Sequence, residues 1–260
     1  MDSINDIRAQ IDVIDSEIIS LLEKRFAITD SIGLAKHKEN KNIVDRVREK
    51  QKLDNLFGRC REEYAGYIAA IFKSLMEESK LSQSRVLFGP DTIFLIGMPG
   101  CGKTSVAREL AGHIYADVID LDDEFSKMYI ATPEMFINQM GEDMFRKNES
   151  LVLKLIIERI AALRANYCNK RVVISCGGGI VCREINIDRM KESGKVIYVK
   201  RELDKLETNG RPISVAKGVE NLYNERKAFY ESAADYIVEN NDIRECAGLI
   251  AGHLYSDTCK

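Results

Sequence analysis

Gly97-Met98-Pro99-Gly100-Cys101-Gly102-Lys103-Thr104 has the spacing of a phosphate cradle, with glycines that let backbone amides wrap an anion and a Lys-Thr pair that closes on it. The apolar run Ile93-Phe94-Leu95-Ile96 before it reads as a buried strand and residues 105–113 after it as a helix, whose N-terminal dipole favours the same anion. In that setting Lys103 would reach the β- and γ-phosphates of ATP and the Thr104 hydroxyl would hold Mg²⁺. Gly97, Gly100, Cys101, Gly102 and Ser105 complete the expected nucleotide contact. Asp117-Val118-Ile119-Asp120 is a second strand, and its closing Asp120-Leu121-Asp122 puts one carboxylate where it can meet the metal and a second facing the same crevice. The pair could equally cap the next helix. A third strand, Val172-Val173-Ile174-Ser175, runs into Gly177-Gly178-Gly179, whose amides can approach a ligand closely, although a plain tight turn has the same composition.

Three arginines follow the cradle: Arg146, Arg211 in Gly210-Arg211-Pro212, and Arg226 in Glu225-Arg226-Lys227-Ala228-Phe229-Tyr230. Any one alone suits a surface ion pair. The whole set in this order resembles shikimate kinase, over nearly all of residues 92–255. The resemblance implies a five-stranded parallel sheet of the nucleoside-monophosphate kinase class. It implies that Arg146 and Arg226 grip the shikimate carboxylate, that Asp122 and the Gly177–Gly179 turn hold its hydroxyls, and that Asp122 is the candidate base. Asp120 and Thr104 would stand on the Mg²⁺ side, and Arg211 in a lid over the transferring phosphate. Phosphoryl transfer asks for positioning and charge neutralisation, and a carboxylate acceptor asks for planar guanidinium groups, so the residue types suit these roles. One departure is that the approach to the lid, from Tyr198 to Arg211, looks short, with Glu207-Thr208 where a further basic residue is expected.

The first eighty residues carry a different chemistry. Ile4, Ile7, Ile11, Ile14, Ile18, Leu21, Ile28, Ile32 and Ala35 recur at three- and four-residue steps, the seam of one long helix, and Arg25 interrupts it. An arginine cannot be neutralised, so burial there demands an anion or serves to fix register. Asp45, Arg48 and Glu49 share one helical face, as do Ser79 and Gln83. Together with Arg8, Arg25 and Lys36 they resemble the active-site set of the all-α chorismate mutases, over residues 4–83. The resemblance implies that Arg8, Arg25 and Arg48 bind the two carboxylates of chorismate, with Ser79 in support. Lys36 and Gln83 would hydrogen-bond the ether oxygen, and Asp45 and Glu49 would engage the ring hydroxyl. Arg8 and Arg25 lie 17 residues apart in the sequence, roughly 25 Å along a helix and roughly 100° around it. They cannot both touch one small substrate from one straight helix. Arg8 is therefore expected from a second copy, in a homodimer with composite sites.

These groups need two kinds of scaffold. A three-helix domain is expected over residues 1–83, its second helix from about Asp45 and its third from about Glu62 to Gln83 with Tyr64, Ile68, Ile71, Phe72 and Leu75 inward. A linker follows at 84–91, where Gly89-Pro90 breaks helix, and an α/β P-loop domain at 92–260. The 260 residues include 45 % apolar and 30 % charged types at a net charge of −3, which forces no nucleic-acid surface. Seven cysteines without a C-x-x-C pair, three histidines without ligand spacing, no signal-like N-terminus and no membrane-length apolar run suit a soluble cytoplasmic protein. The expected activities are rearrangement of chorismate to prephenate and ATP-dependent phosphorylation of shikimate to shikimate 3-phosphate, both in aromatic amino acid synthesis. The alternatives are a helical half that only dimerises or senses chorismate, and a kinase of another polyhydroxy acid such as gluconate.

Overall fold

The computed structural model describes residues 3–88, 92–165, 170–206 and 218–258. The chain divides between Leu87 and Phe88 into two compact units, an all-α one and an α/β one. No helix among the described residues is long and apolar enough to cross a membrane.

In the first unit, α1 (Ile4–Lys38) spans 35 residues, roughly 50 Å. It starts where Ser3 forms a capping box: its hydroxyl accepts from the Asp6 N–H, and the Asp6 carboxylate accepts from the Ser3 N–H. Lys36, His37 and Lys38 in the last turn suit the negative end of the dipole. Asp45 caps α2 (Arg46–Phe57), its carboxylate accepting from the Arg48 N–H at 2.9 Å. A 3₁₀ turn, Glu62–Tyr64, leads into α3 (Ala65–Leu87), which continues helical through the first four residues of the segment read as linker. α1 and α3 come close at Gly33, where a Cβ would lie 3.1 Å from the Gln83 side chain.

The whole α1 seam is bare: its isoleucines and Leu21 are each at least 46 % exposed, and the buried residues of the helix, Thr29 and Gly33, lie off it. Tyr64 and Ile71, expected to point inward from the third helix, are exposed as well, and the polar Ser79 and Gln83 are buried. A stripe is buried only where a neighbour covers it, and nothing in this unit covers that stretch.

The second unit runs β1 (Thr92–Ile96), α4 (Lys103–Ile114), β2 (Ala116–Asp120), α5 (Leu121–Tyr129), α6 (Pro133–Met140), α7 (Glu142–Ala165), β3 (Arg171–Ser175), α8 (Glu184–Ser193), β4 (Lys195–Lys200), α9 (Val219–Ala233), β5 (Tyr236–Glu239) and α10 (Ile243–Thr258). Its sheet is wholly parallel in the order β2-β3-β1-β4-β5. β1 sits in the middle, with Leu95 opposite Ser175 on one side and Ile197 on the other. Every residue of β1 and β3 is buried, which is why these strands read as continuous apolar runs and not as alternating ones. From β1 the chain turns first to one side and later to the other. That reversal opens a crevice at the carboxyl ends of the strands. The cradle leaves β1 there, Asp120 closes β2 and Ser175 closes β3. Leu95→Ala, a truncation in the solvent-free central strand, is expected to lower the stability of this unit by about 2–5 kcal/mol, read as an earlier midpoint in urea unfolding.

Candidate active sites

The cradle turns on three glycines at positive φ, Gly97 at +144°, Gly100 at +84° and Gly102 at +91°. Gly102 precedes α4 directly, and no described side chain caps that helix, so its first amides are open to an anion. Asn240, buried after β5, donates to the Cys101 carbonyl at 2.7 Å and ties the loop to the far side of the sheet. Lys103 Nζ is buried and donates to the carbonyls of Gly97 and Met98, both at 3.0 Å. The Thr104 hydroxyl donates to Asp120 Oδ2 at 2.7 Å and lies 3.1 Å from Ser175 Oγ. The other oxygen of Asp120 accepts from the Asp122 N–H at 3.0 Å. Asp120 thus caps α5, one of the two readings of Asp-x-Asp, and meets the Thr104 hydroxyl with the same carboxylate.

A cavity of about 340 Å³ lies over these strand ends. Gly100, Gly102, Lys103, Thr104, Ser105 and Asp120 form one wall, and Asp122, Arg146, Gly177, Gly178, Gly179 and Arg226 form another. Gly97 and Cys101 shape the loop without lining the cavity, and Cys101 is fully buried. Arg211 and Glu207-Thr208 lie outside the described residues.

Charge in the second wall is balanced within the protein. Arg146 Nη1 donates to Glu149 Oε2 at 2.7 Å and its Nη2 to Glu142 Oε1 at 3.2 Å. Arg226 donates to the Gly178 carbonyl at 3.0 Å, and Tyr230 donates to the same oxygen. Glu149 is only 2 % exposed, and its Oε1 has no hydrogen-bond partner among the described residues. A Cβ at position 177 would lie 2.5 Å from that oxygen and 3.1 Å from Asp122 Oδ1, so glycine is what lets the turn pass both acids. Burial pushes the Asp122 carboxyl up to about 6, Glu149 and Asp120 add to the rise, and Lys103 and Arg146 oppose it. Burial also raises Glu149, against the pull of Arg146. Glu149 was missed in the sequence. It stands at i+3 from Arg146, a signal indistinguishable from an ordinary surface pair until α7 is docked.

The helical unit holds a second cavity, of about 130 Å³. Arg25, Lys36, Asp45, Arg48, Glu49, Ser79 and Gln83 all line it, and Arg8 does not. Arg8 stands exposed on the bare part of α1. Arg25 Nη1 donates to Ser79 Oγ at 2.6 Å and to the Leu75 carbonyl at 3.3 Å. Lys36 Nζ donates to the Ile43 carbonyl at 2.6 Å. Burial lowers its pKa, Asp45 and Glu49 oppose that, and Lys80 adds to it. Gln83 donates to the Ser79 carbonyl, and its Oε1 has no partner among the described residues. Two lysines absent from the expected set also line the cavity. Lys80 pairs with Glu49 at 3.3 Å and Glu77 at 2.6 Å, and Lys52 extends the Asp45–Arg48–Glu49 face by one turn.

Residues 99–250 match the family model described as shikimate kinase, and residues 7–84 match chorismate mutase type II. A shikimate kinase of Clostridium botulinum is 38 % identical over 169 residues, which cover 61 % of this chain and 93 % of the relative. One of Dictyoglomus turgidum is 33 % identical over 179 residues, covering 64 % and 98 %. Among solved structures, shikimate kinase from Acinetobacter baumannii in complex with shikimate superposes with a TM-score of 0.60 at 26 % identity. That match covers 68 % of this chain and 99 % of the other.

An NMR titration of the Asp122 carboxyl carbon is expected to show a midpoint near 6. In Glu149→Gln, which removes a like charge, the midpoint is expected to fall toward the ordinary aspartate value of about 4. The raised value means that ionising Asp122 costs the folded state. Its penalty is full above pH 6 and relieved as pH falls through 6 toward the unfolded value.

Proposed function

Starting from a chain that belongs to the shikimate kinase family and carries a chorismate mutase type II domain ahead of it, we infer a bifunctional enzyme that phosphorylates shikimate with ATP and rearranges chorismate to prephenate. The observation that carries the first activity is the single cavity in which the phosphate cradle, the raised Asp122 and the two arginines meet.

The residues present fit the nucleotide and its metal. The amides of the cradle and the uncapped start of α4 suit polyphosphate, and the Thr104–Asp120 pair is a hard oxygen set of the kind that holds Mg²⁺. No group of three metal-binding side chains converges among the described residues. The protein would therefore give only part of the coordination, phosphate oxygens and water the rest. When bound, Mg²⁺ supplies charge neutralisation across the phosphate oxygens. Lys103 leaves the two loop carbonyls it now meets and neutralises the phosphoryl oxygens. Arg146 and Arg226 hold the acceptor carboxylate, and the partnerless Glu149 oxygen can accept from a ring hydroxyl. Asp122 accepts the proton of the attacking hydroxyl, a task suited to a carboxyl whose pKa lies close below neutrality. Arg211 is assigned to neutralising the transferring phosphoryl group by family resemblance alone.

In the helical site no proton needs to move. Arg25 and Arg48 fix the carboxylates and thereby the compact conformer, with Ser79 supporting Arg25. Lys36 and the Gln83 amide face the ether oxygen, where electron density grows in the rearrangement. Asp45 and Glu49 take the ring hydroxyl. The remaining cation, Arg8, comes from a second copy. The bare isoleucine seam of α1 supports that pairing, because exposed apolar stripes of this length mark interfaces.

Two experiments test this reading. Lys103→Ala is expected to lose at least about a hundredfold in shikimate-dependent ATP turnover while chorismate turnover stays unchanged, and Arg25→Ala the reverse. If Arg25→Ala rearranges chorismate as fast as the parent, the helical unit is no mutase. Separately, Arg8→Ala and Arg25→Ala chains, each inactive alone, are expected on mixing and reassortment to recover about a quarter of the parental mutase rate. Half the dimers then carry one intact site of two. No recovery, or a monomeric parent with full activity, would remove the composite site.

A further inference from the structure

Five cations line the small helical cavity, Arg25, Lys36, Arg48, Lys52 and Lys80, against the two carboxylates of Asp45 and Glu49. Their compensation is unequal. Lys80 is held by Glu49 and Glu77, and Lys36 feels both Asp45 and Glu49. Lys52 has neither kind of support: it makes no ion pair among the described residues, and the charges acting on it are the two arginines. It is half-buried on α2, seven residues from Asp45 and three from Glu49. That puts its stem on the face turned toward the cavity.

An ammonium group partly withdrawn from water beside two guanidinium groups is an unfavourable arrangement in the free protein. Lysine has an easy escape, since its long stem can carry the charge out to solvent. Lys52 instead lines the cavity. We propose that Lys52 is a further carboxylate-binding residue of the helical site, acting on a dianionic ligand beside Arg25 and Arg48 of the same chain and the Arg8 assigned to a second copy. This deepens the mutase reading above and rests on it. Arg25 and Arg48 supply planar donors that set orientation, and Lys52 supplies a point charge one helical turn beyond Arg48. The unbalanced charge selects for ligands with two anionic groups over those with one, because only a dianion offsets the crowding of all three cations.

The test uses the full chain and two variants, Lys52→Gln and Lys52→Arg. Removing a hydrogen bond to a charged partner predicts that KM for chorismate rises about tenfold or more in Lys52→Gln, with kcat within about twofold, and that Lys52→Arg restores most of the loss. Without ligand, Lys52→Gln is expected to melt no lower than the parent, since it relieves repulsion. The melting shift produced by added chorismate is expected to shrink in Lys52→Gln. A purely structural lysine would lower the melting temperature and leave the ligand-induced shift intact. Unchanged KM and an unchanged shift in Lys52→Gln overturn the assignment. If the parent is stabilised by chorismate but never turns it over, the mutase reading fails, and the shrinking of the shift still decides Lys52. If chorismate neither stabilises nor reacts with the parent, both fall.

Discussion

A guanidinium group keeps its proton at any pH a folded protein survives, so every arginine drawn out of water must meet an oxygen that accepts from it. In the α/β unit that demand is met internally. Arg146 has Glu149 and Glu142, and Arg226 has the Gly178 carbonyl. In the helical unit it is met only in part. Arg25 finds a carbonyl and a hydroxyl, and no carboxylate pairs with it among the described residues. The two cavities therefore stand in different electrostatic states before any ligand arrives. One is neutralised and must exchange partners to admit an anion, and the other is short of negative charge and gains it on binding.

The exchange in the α/β unit is tied to the proton chemistry beside it. Glu149 sits between Arg146 and Asp122, bonded to the first and repelling the second. A carboxylate that takes over Arg146 would alter the field at Asp122 without touching it. The sheet makes this possible because three strands end at the same level, delivering the cradle, Asp120 and Ser175 to one crevice while Gly177 lets the chain pass between two acids. Lys103, folded onto its own loop, donates to two of that loop's carbonyls and to the Cys101 sulfur.

Packing follows the same logic at a larger scale. β1 and β3 are covered on both faces and complete within one chain. α1 is not: its first half presents isoleucines to solvent and carries Arg8 away from the cavity formed near its other end. Apolar area and the charge assigned to a composite site are thus both left exposed on the same stretch of helix, and the proposed second copy would cover both.

Periodicity and local chemistry were enough to read the long first helix, the cradle with its strand and helix and the strand-end aspartates, and of the eight helical residues singled out by family resemblance seven line the helical cavity while Arg8 does not. Each of those signals lives within about two turns or one strand, where backbone geometry ties spacing to direction. The 17-residue gap between Arg8 and Arg25 was informative for the same reason, since helix rise is fixed. Tertiary structure alone decided the burial of Glu149, the anchoring of the loop by Asn240, the exposure of Tyr64 and Ile71, and the presence of Lys52 and Lys80 at the cavity. Sequence spacing says which way a side chain leaves its own helix. Whether water, an acid or another cation waits there depends on how distant segments pack, and a charged residue in an ordinary i, i+3 pair looks the same on a surface as in a core.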